Sequence, residues 1–331
     1  MAKIKTEVKM QYDIIAVDMF NVFYKVEHNS LDKDPISIAR NMVTFINDNV
    51  RKHLADKGKL FLLYDPIPKN DLGVSKTFKY TERQEILYAY KKNRTHNRKC
   101  LTVVDMVRKY FSHRGPNVIT VISDKYEADD FMETIIKEYK GKDIAMVTTD
   151  NDWCRYLETH KVVMINDEWR KPFTAESFED KYQFRPSITG VCVWKACFGD
   201  GSDNIRGALQ LKGLKQANQI KVIAFEYINY LGKHPDVNID YILKKERTSS
   251  PLKELKTPED KFFNGLSSFD PKYEVESTFF QNMKVIMSRC DDYKKFAVAK
   301  DVDDKFNLLI EKTLGFKVKE SKQFKFGHIK G

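Results

Sequence analysis

Ile14-Ile15-Ala16-Val17-Asp18 is an apolar run of strand length that ends on a carboxylate, and the chain repeats the pattern. Leu60-Phe61-Leu62-Leu63-Tyr64 runs into Asp65, and Ile144-Ala145-Met146-Val147 is followed by Thr148-Thr149-Asp150-Asn151-Asp152. Val118–Ile122 leads, after four more residues, to Glu127-Ala128-Asp129-Asp130, and Val162–Ile165 is a fifth run of the same kind. Helical patterns at Ile36–Val50, Leu101–Tyr110 and Phe131–Tyr139 separate most of these runs. Strands alternating with helices predict an α/β fold with a central, mostly parallel sheet flanked by helices. Ligands of such sheets bind beyond the carboxyl ends of the strands, so four strands are expected to deliver acids to one functional edge. A single acid after a strand would be ordinary loop chemistry; four together, several of them doubled, are not.

Between the second and third strands lie some fifty residues, far more than the ~2–6 of an ordinary βα connection. Residues 76–99 of this insertion hold eight Lys/Arg against two Glu, more than half of the chain's net charge of +10. An excess placed in this way fits a polyanionic partner, because each cation meeting a phosphate releases condensed counterions. No apolar run approaches the ~20 residues needed to cross a bilayer, and the charged start MAKIKTEVKM has no export signal, so a cytoplasmic, non-membrane protein is expected. The five cysteines form no C-x-x-C pair, which argues for reduced core thiols and against a thiolate zinc site. After Ile165 the pattern turns helical. Ile188–Phe198 enters a Gly-rich turn at Gly199–Gly207, a helix is expected from about Leu214 to Leu231, and an amphipathic one at Glu274–Met287. Residues 246–261 read as a solvated linker or long loop.

Hard cations such as Mg²⁺ take carboxylate and water oxygens. Seven to nine crowded acids would raise one another's pKa unless cations intervened. Two metals ~3.5–4 Å apart can clamp the attacking and leaving oxygens of a phosphodiester. Glu127 and Asp130, three apart at an expected helix start, share a face; N-terminal capping accounts for one or two of these acids but hardly three. Asp150-Asn151-Asp152 is equally compatible with a turn. Gly199-Asp200-Gly201-Ser202-Asp203-Asn204 adds two acids, and lacks the closing Glu of a calcium-binding EF-hand loop.

Taken in chain order, Val17-Asp18-x-x-Asn21, Tyr64-Asp65, Tyr90-Lys91-Lys92-Asn93-Arg94, Tyr126-Glu127-Ala128-Asp129-Asp130, Thr149-Asp150-Asn151-Asp152-Trp153 and Gly199-Asp200-Gly201-Ser202-Asp203-Asn204-Ile205-Arg206-Gly207 resemble the 5′-nuclease (flap endonuclease) superfamily. The likeness is greatest to its bacteriophage 5′-exonuclease branch, which includes the phage-type ribonuclease H. The blocks span roughly residues 14–215, with a weaker echo at Phe280–Ile286. The resemblance implies a PIN-like 5′-nuclease core over residues 1–185, with a helical arch at about 66–115. It also implies a helix-hairpin-helix-like DNA-binding and C-terminal helical region over 186–331.

The resemblance further implies that Asp18, Asp65, Glu127, Asp129 and Asp130 surround one metal, and that Asp150, Asp152, Asp200 and Asp203 surround a second. The ions would be Mg²⁺, with Mn²⁺ as a substitute. Lys91 and Arg94 take the places of the family's active-site basic residues. Tyr24, Lys79, Arg83, Lys92, Gly207, Gly213 and Lys215 fall at DNA-binding positions. For the arch aromatics Phe78, Tyr80, Tyr88 and Tyr90, core packing competes with base stacking. The segment Gly207–Lys215 keeps Gly213-x-Lys215 but loses a middle glycine of the family hairpin, which puts its monovalent-cation site in doubt. The expected activity is Mg-dependent 5′-3′ exonuclease and flap-endonuclease cleavage at 5′ ends, flaps, nicks or RNA primers in DNA replication. A monomer is expected, with DNA, RNA–DNA hybrid and replication proteins as partners. Two alternatives stay open at this point: a catalytically inactive protein that binds branched DNA, and a PIN-type ribonuclease.

Overall fold

A computed structural model describes residues 11–66, 82–87, 89–91, 98–112, 115–158, 161–166, 168–210, 217–244, 257–268, 274–298 and 312–315. Five strands form one sheet: β1 (Tyr12–Asp18), β2 (Leu54–Tyr64), β3 (Val118–Ile122), β4 (Ile144–Val147) and β5 (Val162–Ile165). Their order is β3-β2-β1-β4-β5, and every neighbouring pair is parallel. The chain thus winds outward from β1 to β3, then crosses back to β4 on the other side of β1. This reversal opens a crevice between the carboxyl ends of β1 and β4, the place where open α/β sheets hold ligands. Val17 lies opposite Val147, so Asp18 and Thr148 leave the sheet side by side.

Eleven α-helices complete the described chain. Around the first three strands lie α1 (Met19–Asn29), α2 (Pro35–Thr44), α3 (Glu82–Ile86) and α4 (Arg98–Phe111). Next come α5 (Met132–Glu138), α6 (Ala175–Tyr182) and α7 (Ile188–Phe198). The last four are α8 (Ala217–Lys233), α9 (Ile239–Lys244), α10 (Pro258–Ser268) and α11 (Glu274–Ile286). Local chemistry sets several starts. Asp34 accepts from the N–H groups of Ile36 and Ser37 with Pro35 at the first helical position, and Ser187 accepts from Gly190 N–H at 3.0 Å. Each such cap contributes about 1 kcal/mol.

Side chains alternate across the sheet with the period of two that a strand imposes. Ile14, Ala16, Phe61, Leu63, Ile144 and Met146 face a core shared with α5, α7, α8 and α11. Ile15, Val17, Leu60, Leu62, Ala145 and Val147 face a second core built with α1, α2 and α4. The first cluster runs without interruption from the strands into the helices beyond residue 188, which pack directly on the sheet.

Two helices differ from expectation in their turns. The segment expected as one helix over Ile36–Val50 changes after Thr44 to a π turn at Phe45–Val50, whose wider winding keeps Ile46 and Val50 on the buried side. The Glu127-Ala128-Asp129-Asp130 segment opens not on an α-helix but on a 3₁₀ turn, Ala128–Phe131, ahead of α5.

Candidate active site

At the crevice, the loop after β1 and the loop after β4 are stitched together. Asp18 caps α1, accepting from Asn21 N–H at 3.0 Å, and its other oxygen accepts from the Thr148 hydroxyl at 3.1 Å. The Asn21 amide donates to Thr149 Oγ1 at 2.8 Å, and Thr149 N–H donates back to Asn21 Oδ1 at 3.2 Å. Thr148 Oγ1 in turn accepts from Asp150 N–H, and Asp150 caps the 3₁₀ turn that carries Asp152. From β2, Asp65 reaches across to accept from Ala128 N–H at 2.9 Å, which ties it to the Glu127–Asp130 segment.

Crowding shows in the titration of these groups. Burial, then the neighbouring charges of Asp65 and Asp150, push Asp18 up to about 8. Burial raises Asp65 to about 6, with Lys91 pulling against it and Glu127 adding to it. Burial also raises Asp130, to about 7, although Arg83 opposes the shift. Other acids move the opposite way because cations stand beside them. Burial works against the ionised forms of Glu127 and Asp129, but Lys91 and Arg83 hold Glu127 below its ordinary range, and Arg83 and Arg155 hold Asp129 well below.

Four interior cations meet the acids. The Arg83 guanidinium is 1% exposed and lies 2.6 Å from Asp129, 2.5 Å from Asp130, 3.3 Å from Glu127 and 3.6 Å from Asp152. Arg155 bonds Asp129 at 3.0 Å and the Ile286 carbonyl at 2.6 Å, which anchors the cluster to the end of α11. Lys195, on α7, pairs with Asp152 and, at 2.7 Å, with Asp200. Lys91 reaches Glu127 at 2.5 Å. Asp152, Asp200 and Asp203 each offer an oxygen within 4.8 Å of the others, the one such convergence among the described residues. The Tyr90 hydroxyl links the halves, lying 2.9 Å from Glu127 and 3.2 Å from Asp203.

All nine acids expected at the metals therefore gather at one edge of the sheet, and two of them, Asp129 and Asp130, also meet both interior arginines. Asp130 is fully buried; it accepts from Glu127 N–H at 2.9 Å, from the Ser288 hydroxyl at 3.2 Å and from Arg83. Asp129 is held between Arg83 and Arg155. These two stand as partners of interior arginines and a helix cap, a use that local sequence does not disclose. Arg83 was expected to face DNA from the arch. It instead lies inside the cluster, because four carboxylates there need a compensating charge.

Gly207, also expected at DNA, is buried where a Cβ would come within 2.4 Å of the Phe198 carbonyl carbon and 2.5 Å of the Gly199 nitrogen. Its missing side chain lets the end of α7 and the returning loop touch. Tyr90 is likewise buried at 1% exposure, whereas Tyr24 on α1 is 53% exposed with its ring edge-on to Phe23. Lys79, Lys92, Arg94, Gly213 and Lys215, with Phe78, Tyr80 and Tyr88, lie outside the described residues.

Residues 17–183, half of the chain, match the family described as 5′-3′ exonuclease, N-terminal resolvase-like domain. The chain belongs to the 5′-3′ exonuclease family. It is a nuclease. Among solved structures, the bacteriophage T5 D15 protein co-crystallised with metal ions is 21% identical, with a TM-score of 0.54 over 91% of this chain and 99% of that one. The T5 D15 flap endonuclease in complex with DNA and metal ions gives 21% and 0.55 over 91% and 98%, and the T5 5′-exonuclease with bound zinc gives 22% and 0.53 over 91% and 99%. At this identity the likeness establishes a common fold. Comparison with curated protein sequences finds no significant relative.

Within this member of the 5′-3′ exonuclease family, four positioning residues escaped sequence reading. Asn21 and Thr149 stand inside recognised motifs, but nothing local indicates that they bond each other. Arg155 follows the Asp150-Asn151-Asp152-Trp153 motif closely enough to have been suspected. Lys195 sits in an otherwise apolar helix, and a charged residue buried at 3% exposure on such a face is the signal that it has an acidic partner.

Proposed function

We propose that this nuclease hydrolyses DNA phosphodiester bonds at 5′ ends, flaps and nicks, using two divalent cations. The observation that carries the reading is the charge balance of the site: nine carboxylates converge, and four interior cations among the described residues answer them. Within the cluster, burial and neighbouring carboxylates push Asp18 and Asp65 up, a crowding that bound cations would relieve. Asp18, Asp65, Asp150 and Glu127 would hold the first cation; Asp152, Asp200 and Asp203 would hold the second. The donors are all oxygens, with no imidazole or thiolate in the set, and this suits a hard ion such as Mg²⁺ or Mn²⁺. When bound, a divalent pair stabilises charge on the attacking and leaving oxygens of an in-line displacement.

The chain's own side chains supply the remainder. Lys91 places an ammonium beside Glu127, where it offsets charge developing on the scissile phosphate. Arg94, three residues later, is proposed for the same task. Exposed Tyr24, one helix turn and a half beyond Asp18, offers a stacking face to an unpaired base. Arg83 and Arg155 keep Asp129 ionised and immobile, so the acids that face substrate are held without metal or DNA. Removal of RNA primers and flaps in replication is the proposed setting, and the T5 complex with DNA supports DNA as the partner.

The test uses a labelled 5′-flap duplex, a nicked duplex and a single-stranded RNA, each with Mg²⁺ or chelator. Magnesium-dependent cutting at the flap junction supports the proposal. Tight binding of the flap without cutting would assign an inactive DNA-binding protein, and preference for the RNA would assign a ribonuclease.

A further inference from the structure

The turn Ala89–Lys91 belongs to the basic insertion, and the loop Asp200–Ile205 carries two of the carboxylates proposed for the second cation. Three hydrogen bonds join them. Asn204 Nδ2 donates to the Ala89 carbonyl at 2.8 Å, Lys91 N–H donates to the Asp203 carbonyl at 3.0 Å, and the Tyr90 hydroxyl reaches Asp203 Oδ2 at 3.2 Å. Both partners in this contact have left-handed backbone: φ is +50° at Lys91 and +58° at Asn204.

Lysine gains nothing from that conformation, whose steric cost persists only where surrounding bonds enforce it. Asparagine tolerates it comparatively well. The turn at Lys91 sends its side chain inward to Glu127, away from the solvent that a lysine on a basic segment would otherwise seek. A lysine in ordinary backbone at this position would aim its ammonium elsewhere. The bonds from 203 and 204 are therefore what keep it over the acids.

We propose that Asn204 is a positioning residue that locks the turn Ala89–Lys91 to the Asp200–Ile205 loop and thereby sets the aim of Lys91. It touches neither phosphate nor metal in this role; it acts through Lys91. The inference rests on the reading of Lys91 as the phosphate-facing lysine. It adds that the two segments, 113 residues apart at 91 and 204 in the sequence, form one unit whose joint is a side-chain amide.

Asn204→Gly removes the amide yet keeps the left-handed backbone free of strain. Asn204→Asp keeps size and backbone tolerance but sets an acceptor against the Ala89 carbonyl. The decisive experiment measures single-turnover cutting of a labelled 5′-flap duplex at saturating protein and Mg²⁺ for wild type, N204G, K91A and the double variant. Hydrogen exchange at the Lys91 amide is followed in the same proteins. N204G is expected to slow cutting about tenfold, the worth of a lost hydrogen bond and its alignment, while adding little in the K91A background. Exchange at the Lys91 amide should quicken in N204G and N204D alike.

Equal slowing by N204G with and without Lys91 would make Asn204 a general structural residue and overturn the proposal, as would unchanged exchange. Should N204G fail to fold, N204D carries the same cycle. If wild type cuts no DNA, the proposed function fails, whereas the exchange comparison still decides whether the joint exists.

Discussion

Lys195→Met removes one interior cation and leaves Asp152 and Asp200 facing each other across a site they share with Asp203. The ammonium side chain is 4% exposed, and the two carboxylates are 9% and 16% exposed, so water cannot replace it well. Breaking a buried pair of this kind costs about 3–5 kcal/mol, because the surviving charge is stranded. With an unfolding slope of about 2–3 kcal/mol per molar urea, the midpoint in chelator should fall by about 1–2 M. Asp200 responds as well. Burial opposes its ionisation, and Lys195, helped by Ser202, is what brings it down to about 2. Without the lysine it should titrate higher.

A divalent cation between the same carboxylates would do the ammonium's electrostatic work. Binding to the folded state alone adds about 2.7 kcal/mol at a hundredfold excess over Kd, and the variant should gain more than wild type because no lysine competes. The assay is urea unfolding followed by tryptophan fluorescence, with Trp153 buried beside Asp152, in EDTA and in excess Mg²⁺. An equal loss in both conditions would refute the reasoning, and so would no loss in EDTA.

Asp150→Ala should abolish flap cutting, by roughly 10²–10³-fold or more, with binding of the flap duplex in Ca²⁺ largely retained; a normal rate would remove Asp150 from the metal site. Metal-free stability should fall as pH rises from about 4 to 8. Folded Asp18 keeps its proton up to about 8 and Asp130 up to about 7, so the native state holds protons that the unfolded chain has released. Melting in EDTA from pH 5 to 8.5 checks the sign, and excess Mg²⁺ should flatten the slope. Gly207→Ala should lower the melting temperature sharply or prevent soluble expression, since its Cβ would sit 2.5 Å from the Cys197 carbonyl oxygen. Asn282→Ala should cost about 1–3 kcal/mol in urea unfolding, because the Ala196 and Arg206 carbonyls, accepting at 3.1 and 2.8 Å, lose their shared donor.

Much of this protein was readable in one dimension. Apolar runs of four or five residues bounded by polar turns marked all five strands, and α7 has the expected limits Ile188–Phe198, because burial and period are written locally. The acids were legible too, since a parallel sheet carries whatever follows its strands to one edge. Where the reading failed, the deciding interaction joined distant segments. Arg83 finds Glu127, Asp129 and Asp130 from 44 to 47 positions away, and nothing in its own surroundings separates it from a lysine or arginine facing DNA. Gly207 lets the end of α7 press against the returning loop, a close approach that no local pattern announces. Sequence order states which charges the chain owns and which strand ends present them. How those charges are shared among interior cations and helix caps depends on Coulomb energies that vary with distance and burial, and both quantities exist only once the chain has folded.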